Sequence, residues 1–304
     1  MYRRKAAAVL LCLKNIKASG GEKSSIMDQS NRQRTCGGIE RLSKEAIQYW
    51  MTPEIRRYNI EIYSEIDSTN NRAKALGEEG TDGPAVILAE RQTAGRGRLN
   101  RPFLSQPSKG LYMSLLCRPA LSGEKAVYLT TYTAVAVCRA IEAVSGVSAQ
   151  IKWVNDIFVQ NKKICGILAE ASLRADGTIP YAVIGIGVNI AEQKFPPPLH
   201  LTAGSLETFA SAPVSRNRLA AEILREIGDL SCNPPTDGHL LEYRRRSMVL
   251  GRSVHVMRGS ESFDARVLDI DHDGSLVIES GGATQILRAG EVSIRPDGES
   301  GPLR

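Results

Sequence analysis

Hydrophobic runs and the polar clusters between them divide the chain into short strands and a few helices. Ala85 to Ala89 is an unbroken apolar run, the pattern of a strand buried on both faces, and Leu111 to Cys117 is another strand. Tyr181 to Ile190 and Ile164 to Ala171 are strands of the same kind. Asn59 to Ser64 alternates, and Gln150 to Trp153 and Ile157 to Gln160 read as strands on either side of Val154-Asn155-Asp156. Asn161-Lys162-Lys163 is the turn expected before Ile164. Leu42 to Met51 predicts a helix with Ser43 as its N-cap, stopped by Thr52-Pro53. Further helices are predicted from Asp67-Ser68-Thr69-Asn70 to about Glu79, over Glu124 to Val144, over Val214 to Leu230 and over Gly238 to Arg246. This mixture predicts one α+β domain over residues 42–246. After Ser247 the texture changes. Val254-His255-Val256, Phe263 to Ile270, Leu276 to Glu279 and Thr284 to Leu287 are short strands, with Asp273-Gly274 as a hairpin signal. They predict a small β-barrel over residues 247–296, followed by a tail over 297–304.

Composition narrows the class only a little. The 304 residues have the make-up of a globular protein, with a net charge of +6. Much of the excess lies in the first 41 residues, and the rest is no strong sign of a nucleic-acid partner. Arg3-Arg4-Lys5 and Ala6 to Leu13 imitate a signal peptide, but Lys14 and Lys17 close the run and no clean small-x-small site follows. Residues 1–41 are therefore expected to be a disordered or marginally helical extension, and the protein cytoplasmic. No run reaches membrane-spanning length. The 6 cysteines are scattered and the 4 histidines form no zinc spacing, so reduced thiols and no structural metal are expected.

Candidate chemistry centres on Thr93 to Arg101, reading T-A-G-R-G-R-L-N-R. Gly95 and Gly97 let backbone approach a ligand, and Arg96, Arg98 and Arg101 offer donor forks suited to carboxylate and phosphate. No acidic residue lies between Arg91 and Gly110 to neutralise them. An anion site, a solvated basic loop and an RNA-binding patch all fit this stretch by itself. Ser68-Thr69-Asn70 at a helix start is either a cap or a binding segment. Lys152 and Asp156, in K-W-V-N-D, are either a structural ion pair or reacting groups. Lys163 is an exposed turn lysine or a site lysine, and G-I-G-V-N, ending at Asn189, is a tightly packed strand or a ligand platform.

Together these stretches have the order and spacing of one family: the chain resembles the biotin–protein ligases, also called biotin–[acetyl-CoA-carboxylase] ligases or holocarboxylase synthetases, over about Leu42 to Ile294. The resemblance implies the biotin/lipoate-ligase catalytic fold, like that of class II aminoacyl-tRNA synthetases, with a mixed sheet and an SH3-like barrel behind it. It implies that biotin and ATP, with Mg²⁺, give biotinyl-5′-AMP, from which biotin passes to a lysine of a biotin carboxyl carrier domain. Ser68, Thr69, Asn70, Gln92, Arg96, Gly97, Arg98 and Lys163 match biotin-contacting positions, and Arg96, Arg98, Arg101, Lys152, Asn155 and Asn189 match adenylate-contacting ones. Arg98, Lys163 and Asp156 match the reaction centre, and no metal-ligating residue is implied. Val154 replaces the usual proline, Leu99-Asn100 the usual basic residue and glycine, and Phe103 stands near an aromatic, often tryptophan, beside the nucleotide. Two rival readings are a biotin-responsive repressor and a lipoate or octanoate transferase. The segment before Leu42 is short for a winged helix-turn-helix, so DNA binding is not expected, and the G-R-G-R loop favours biotin over lipoate. In this family an exposed sheet edge can form a homodimer.

Overall fold

A computed structural model of the chain describes residues 40–230 and 235–294. The extension expected over residues 1–41 lies, up to residue 39, outside the described residues, as does the tail expected over 297–304.

Seven strands form one mixed sheet in the order β1-β2-β3-β7-β6-β5-β4. They are β1 (Asn59–Tyr63), β2 (Ala85–Ala89), β3 (Gly110–Cys117), β4 (Gln150–Lys152), β5 (Asp156–Val159), β6 (Lys162–Ala171) and β7 (Ala182–Asn189). β1 and β2 run parallel, and the other neighbours are antiparallel. Every residue of β2 and β3 is buried, as their largely apolar sequences require. The turn before β6 is Gln160-Asn161, both at positive φ, so Lys162 and Lys163 belong to the strand and not to the expected turn. Two residues at positive φ match the twist of a tight hairpin, which shortens the connection.

Among the described residues, five α-helices flank the sheet: α1 (Lys44–Trp50), α2 (Thr69–Glu78), α3 (Val127–Ser145), α4 (Arg216–Ile227) and α5 (Gly238–Arg246). Ser43 caps α1 as expected, accepting from the Ala46 amide. α1, α3 and α4 share the main core with the face of the sheet that carries Val86, Leu88, Met113, Leu115, Ile184 and Ile186. The stretch Gly123–Ser145 is long and apolar enough to cross a membrane by length and composition, but 61% of it is buried in this fold. Its apolar surface is accounted for by core packing. α2 lies against the opposite face, where Ala73 and Leu76 meet Ile87, Leu116 and Val183. That small second core covers only one end of the face and leaves the other open for the site.

Five antiparallel strands follow: β8 (Ser253–Arg258), β9 (Glu261–Ile270), β10 (Leu276–Ser280), β11 (Ala283–Leu287) and β12 (Glu291–Ile294), in the order β11-β10-β9-β8-β12. β12 was not expected from the sequence. With four residues and one buried apolar side chain, Val292, it carries too little pattern to be read. The inner residues of this sheet, among them Val254, Val267, Leu276 and Val292, join the main core. Its Asp273-Gly274 turn is gripped by the larger domain. Trp153 Nε1 donates to the Gly274 carbonyl at 2.9 Å, and the Tyr128 hydroxyl donates to the His272 carbonyl at 2.7 Å. Tyr243 anchors the other side of K-W-V-N-D by donating to the Val154 carbonyl at 2.9 Å.

Replacing Trp153 with Phe strands the buried Gly274 carbonyl without a donor. Unfolding in urea is expected to show a loss of about 1–3 kcal/mol, the usual cost of a buried unpaired polar group.

Candidate active site

The uncovered end of the α2 face carries a cavity of ≈ 970 Å³. Strand register explains the hollow. Ser114, Gly185 and Leu168 lie side by side across β3, β7 and β6, and the next row is Tyr112, Gly187 and Gly166. Three glycines in these two rows remove the side chains that would otherwise fill the face. Other groups take that space. A Cβ on Gly185 would fall inside the Asn70 amide, and one on Gly187 would come within 2.5 Å of the Phe103 ring. Phe103 also lies 3.5 Å from the Cβ position of Gly166, so its ring covers the paired glycines.

Along the α2 side the wall is uncharged and hydrogen-bonded. Gln92 Oε1 accepts from the Thr69 amide at 2.9 Å and from the Thr69 hydroxyl at 3.1 Å, while Gln92 Nε2 donates to Ser105 Oγ at 3.1 Å. Ser114 Oγ sits 2.7 Å from Thr69 Oγ1 and 2.6 Å from Asn70 Oδ1. Because the Thr69 proton goes to Gln92, the single Ser114 proton serves one of two acceptors, and this wall can accept one more donor. Ser68 occupies the N-cap position yet makes no capping bond with its side chain. It lines the cavity at 1% exposure, so capping alone does not describe it.

The facing wall is cationic and begins in the arginine loop. Glu90 and Arg216 clamp both ends of that loop. Arg216 Nη1 lies 2.6 Å from Glu90 Oε2 and donates to the Gly110 carbonyl at 3.4 Å, and Glu90 also accepts from Ser108 Oγ at 3.1 Å. The amides of Thr93 and Ala94 donate to the Ile66 and Asp67 carbonyls. Between these anchors Leu99 adopts φ 53°, a left-handed conformation that a residue with a bulky side chain rarely takes. Distant carboxylates neutralise two of the three arginines, contrary to what the loop's own sequence suggested. Arg96 Nη2 meets Glu170 Oε2 at 3.3 Å, Arg101 Nη2 meets Glu291 Oε2 at 2.6 Å, and Arg98 donates to Asn155 Oδ1 at 3.1 Å and to the Gly290 carbonyl at 3.2 Å. Arg96 Nε is buried with no acceptor among the described residues.

Lys163 and Asp156 come together across β5 and β6, with Nζ 2.7 Å from Oδ1. Lys152 faces Asp156 in the β4–β5 ladder, but its ammonium lies 5.8 Å over the Phe158 ring, and Asp156 pairs with Lys163 instead. Burial pushes the Lys152 ammonium below its ordinary pKa; Lys163 and Arg101 add to the shift, and Asp156 and Glu291 oppose it. Asn155 Nδ2 donates to the Ile167 carbonyl at 2.8 Å, which fixes its oxygen towards Arg98.

Of the candidate residues, Ser68, Thr69, Asn70, Gln92, Arg96, Gly97, Arg98, Arg101, Lys152, Asn155, Asp156 and Lys163 all line this one cavity. Asn189 does not. It shares a strand face with Gly185 and Gly187 but is buried and accepts from Gln193 Nε2 at 3.1 Å. The structure adds Ser114, Glu170, Glu291 and Arg252, which the sequence reading missed. Ser114 left a signal, as the one small polar side chain in a fully buried strand. Glu291 and Arg252 left none, since only the docking of the small sheet carries them to the cavity.

Comparison with known proteins agrees with this geometry. The sequence pattern of the biotin/lipoate A/B protein ligase family matches residues 63–189, and that of the biotin protein ligase C-terminal domain matches residues 249–295. The chain is similar to the bifunctional ligase/repressor BirA of Bacillus spizizenii, at 31% identity over 79% of this chain and 75% of that protein. It is also similar to the biotin–[acetyl-CoA-carboxylase] ligase of Mycobacterium tuberculosis, at 30% identity over 77% of this chain and 88% of that protein. Among solved structures, the biotin protein ligase from Aquifex aeolicus in complex with biotin and ATP matches with a TM-score of 0.64 and 25% identity, over 78% of this chain and 98% of that one. One family thus accounts for both the sheet that carries the cavity and the small sheet docked beside it, and the chain belongs to the biotin–protein ligases.

Proposed function

We infer that this chain attaches biotin to a lysine of a biotin carboxyl carrier domain, using ATP and passing through biotinyl-5′-AMP. The supporting observation is the meeting of two unlike walls in one cavity. Thr69, Asn70 and Gln92, backed by the buried Ser114, form an uncharged hydrogen-bonding wall, whereas Arg96, Arg98, Arg101, Lys152 and Lys163 form a cationic one. Biotin has the same asymmetry, with a neutral ureido ring whose N–H groups suit the unfilled acceptor near Ser114 and a carboxylate at the far end of its chain. ATP extends the demand for cations. The cytoplasm, where ATP is present and thiols such as the buried free Cys117, Cys138 and Cys165 stay reduced, is the location this reading implies.

In the first step a biotin carboxylate oxygen bonds to the α-phosphorus of ATP and pyrophosphate leaves. Two anions must approach, so fixed cations lower the barrier by offsetting their repulsion and the charge that develops. Lys163 and Arg98 have this role, with Arg96 and Arg101 beside them, and Asp156 holds the Lys163 ammonium at 2.7 Å. Asn155 steers Arg98. Mg²⁺ enters on the ATP phosphates as part of that substrate; among the described residues no group of three or more His, Cys, Asp or Glu side chains is placed to hold a metal ion. In the second step the carrier lysine, as a neutral amine, bonds to the acyl carbon and AMP leaves. Asp156 is the carboxylate at the reaction centre that can orient this amine. The arginine loop shields the acyl phosphate from water meanwhile.

Purified protein incubated with biotin, Mg–ATP and a carrier domain is expected to add one biotin mass to the acceptor, read by intact-mass spectrometry, and octanoate is expected to add nothing. Acceptor modified by octanoate but not by biotin would move the assignment to the lipoate branch, and no modification at all would reject a ligase. Lys163→Ala is expected to slow adenylate formation, followed as pyrophosphate release, by about 100-fold or more, since it removes a fixed cation facing the developing charge.

Gly185→Ala tests the glycine floor. The added methyl displaces the Asn70 amide, so biotin affinity by calorimetry is expected to fall at least about tenfold, or about 1.4 kcal/mol, while the protein stays folded by circular dichroism.

A further inference from the structure

Glu170 lies outside the cavity lining, yet it touches both walls of the site. It sits on β6, paired with Val183 across the ladder, and its carboxylate is half-buried. One oxygen, Oε2, accepts from Asn70 Nδ2 at 2.8 Å and from Arg96 Nη2 at 3.3 Å; the other, Oε1, meets Lys74 Nζ at 2.5 Å. All three neighbours are donors. Burial by itself would raise the pKa of Glu170, but Lys74, Asn70 and Arg96 outweigh it and hold the carboxyl below the ordinary range. The group therefore stays an acceptor-only carboxylate at neutral pH.

That chemistry fixes two things together. An acceptor-only group makes Asn70 turn its NH₂ towards Glu170, which leaves Oδ1 facing Ser114 on the uncharged wall. The same oxygen gives Arg96, the first arginine of the loop, a place to dock on the body of the sheet. We propose that Glu170 is a positioning residue that couples the two walls, setting the polarity of the Asn70 amide and holding the arginine loop down through Arg96. This rests on biotin being the ligand, but the docking of the loop stands apart from that reading and can be measured without ligand.

Glu170→Gln is the informative change. It keeps the size of the side chain but sets an NH₂ group against a donor whichever way the amide turns. Lys74→Met serves as the control, because it removes an ion pair with Glu170 while Lys74 lies outside the cavity lining. Two readouts are expected to move in E170Q: amide hydrogen exchange over residues 93–101 speeds up in the ligand-free protein, and the KM for biotin rises about tenfold, a 1.4 kcal/mol effect. The KM for the carrier domain stays as in wild type, and K74M keeps the wild-type KM for biotin. Unchanged exchange and unchanged KM for biotin in E170Q would overturn the proposal, as would an equal rise of that KM in K74M, since Glu170 would then act only through general stability. If the wild type uses no biotin, the ligase reading fails, and the exchange comparison still decides whether Glu170 docks the loop. Should E170Q not fold, Glu170→Asp, which draws the charge back by one methylene, is expected to show the same two shifts at smaller amplitude; wild-type values in that variant would count against the proposal.

Discussion

Three glycines in two adjacent rows open a gap on one face of the sheet, and the rest of the site depends on that gap. A sheet whose central strands are buried on both faces has no room for a ligand unless something is removed, because protein interiors pack as densely as crystals. Gly166, Gly185 and Gly187 remove it at the level of the strand, and cross-strand pairing sets Gly166 beside Gly187. The vacated volume is then shaped from outside the sheet. Asn70 enters from the first turn of α2, and Phe103 folds over from the arginine loop. The cavity is thus bounded by an element that packs firmly on the second core and by a loop that lies across the open end.

Charge is handled by pairing in advance. Arg96, Arg98 and Arg101 each have an internal acceptor, supplied by β6, by K-W-V-N-D or by the small sheet. Unpaired, three guanidinium groups on one loop would repel one another and hold it open in solvent. Paired, they hold it against the sheets on either side. The pairs at Arg96 and Arg101 are partly exposed to water, so each contributes modestly and is readily exchanged.

The small sheet takes part in the site as well as in the fold. Its Asp273-Gly274 turn is held by Trp153, the residue just before the Val154-Asn155-Asp156 segment, and its last strand brings Gly290 and Glu291 to the arginine loop. A shift of this sheet is therefore felt on both sides of Asn155. This placement gives a physical reason for a ligase of this family to keep the module beside its catalytic sheet.

Local pattern was enough to read most of the elements and to pick out residues that the fold gathers into one cavity. Largely apolar runs set β2, β3 and β7, Ser43 capped α1, and Gly238 to Arg246 formed α5 with the bounds expected of it. The arginine loop, Lys163 and Ser68-Thr69-Asn70 were legible because charge and glycine in these places serve no packing purpose. Other features depended on contacts that local pattern does not encode. Asp156 chose Lys163 over Lys152 because the β5–β6 hairpin turns at Gln160-Asn161 and sets Lys163 inside the strand. Asn189 ends the strand that carries Gly185 and Gly187, yet it lies outside the cavity lining and accepts from Gln193. The loop looked unneutralised because its carboxylates, Glu170 and Glu291, lie 74 and 190 residues away in the chain from the arginines they meet. Periodicity and propensity act over a few residues, so they fix strands, helices and caps; partners across such separations meet only when the tertiary fold closes the chain upon itself.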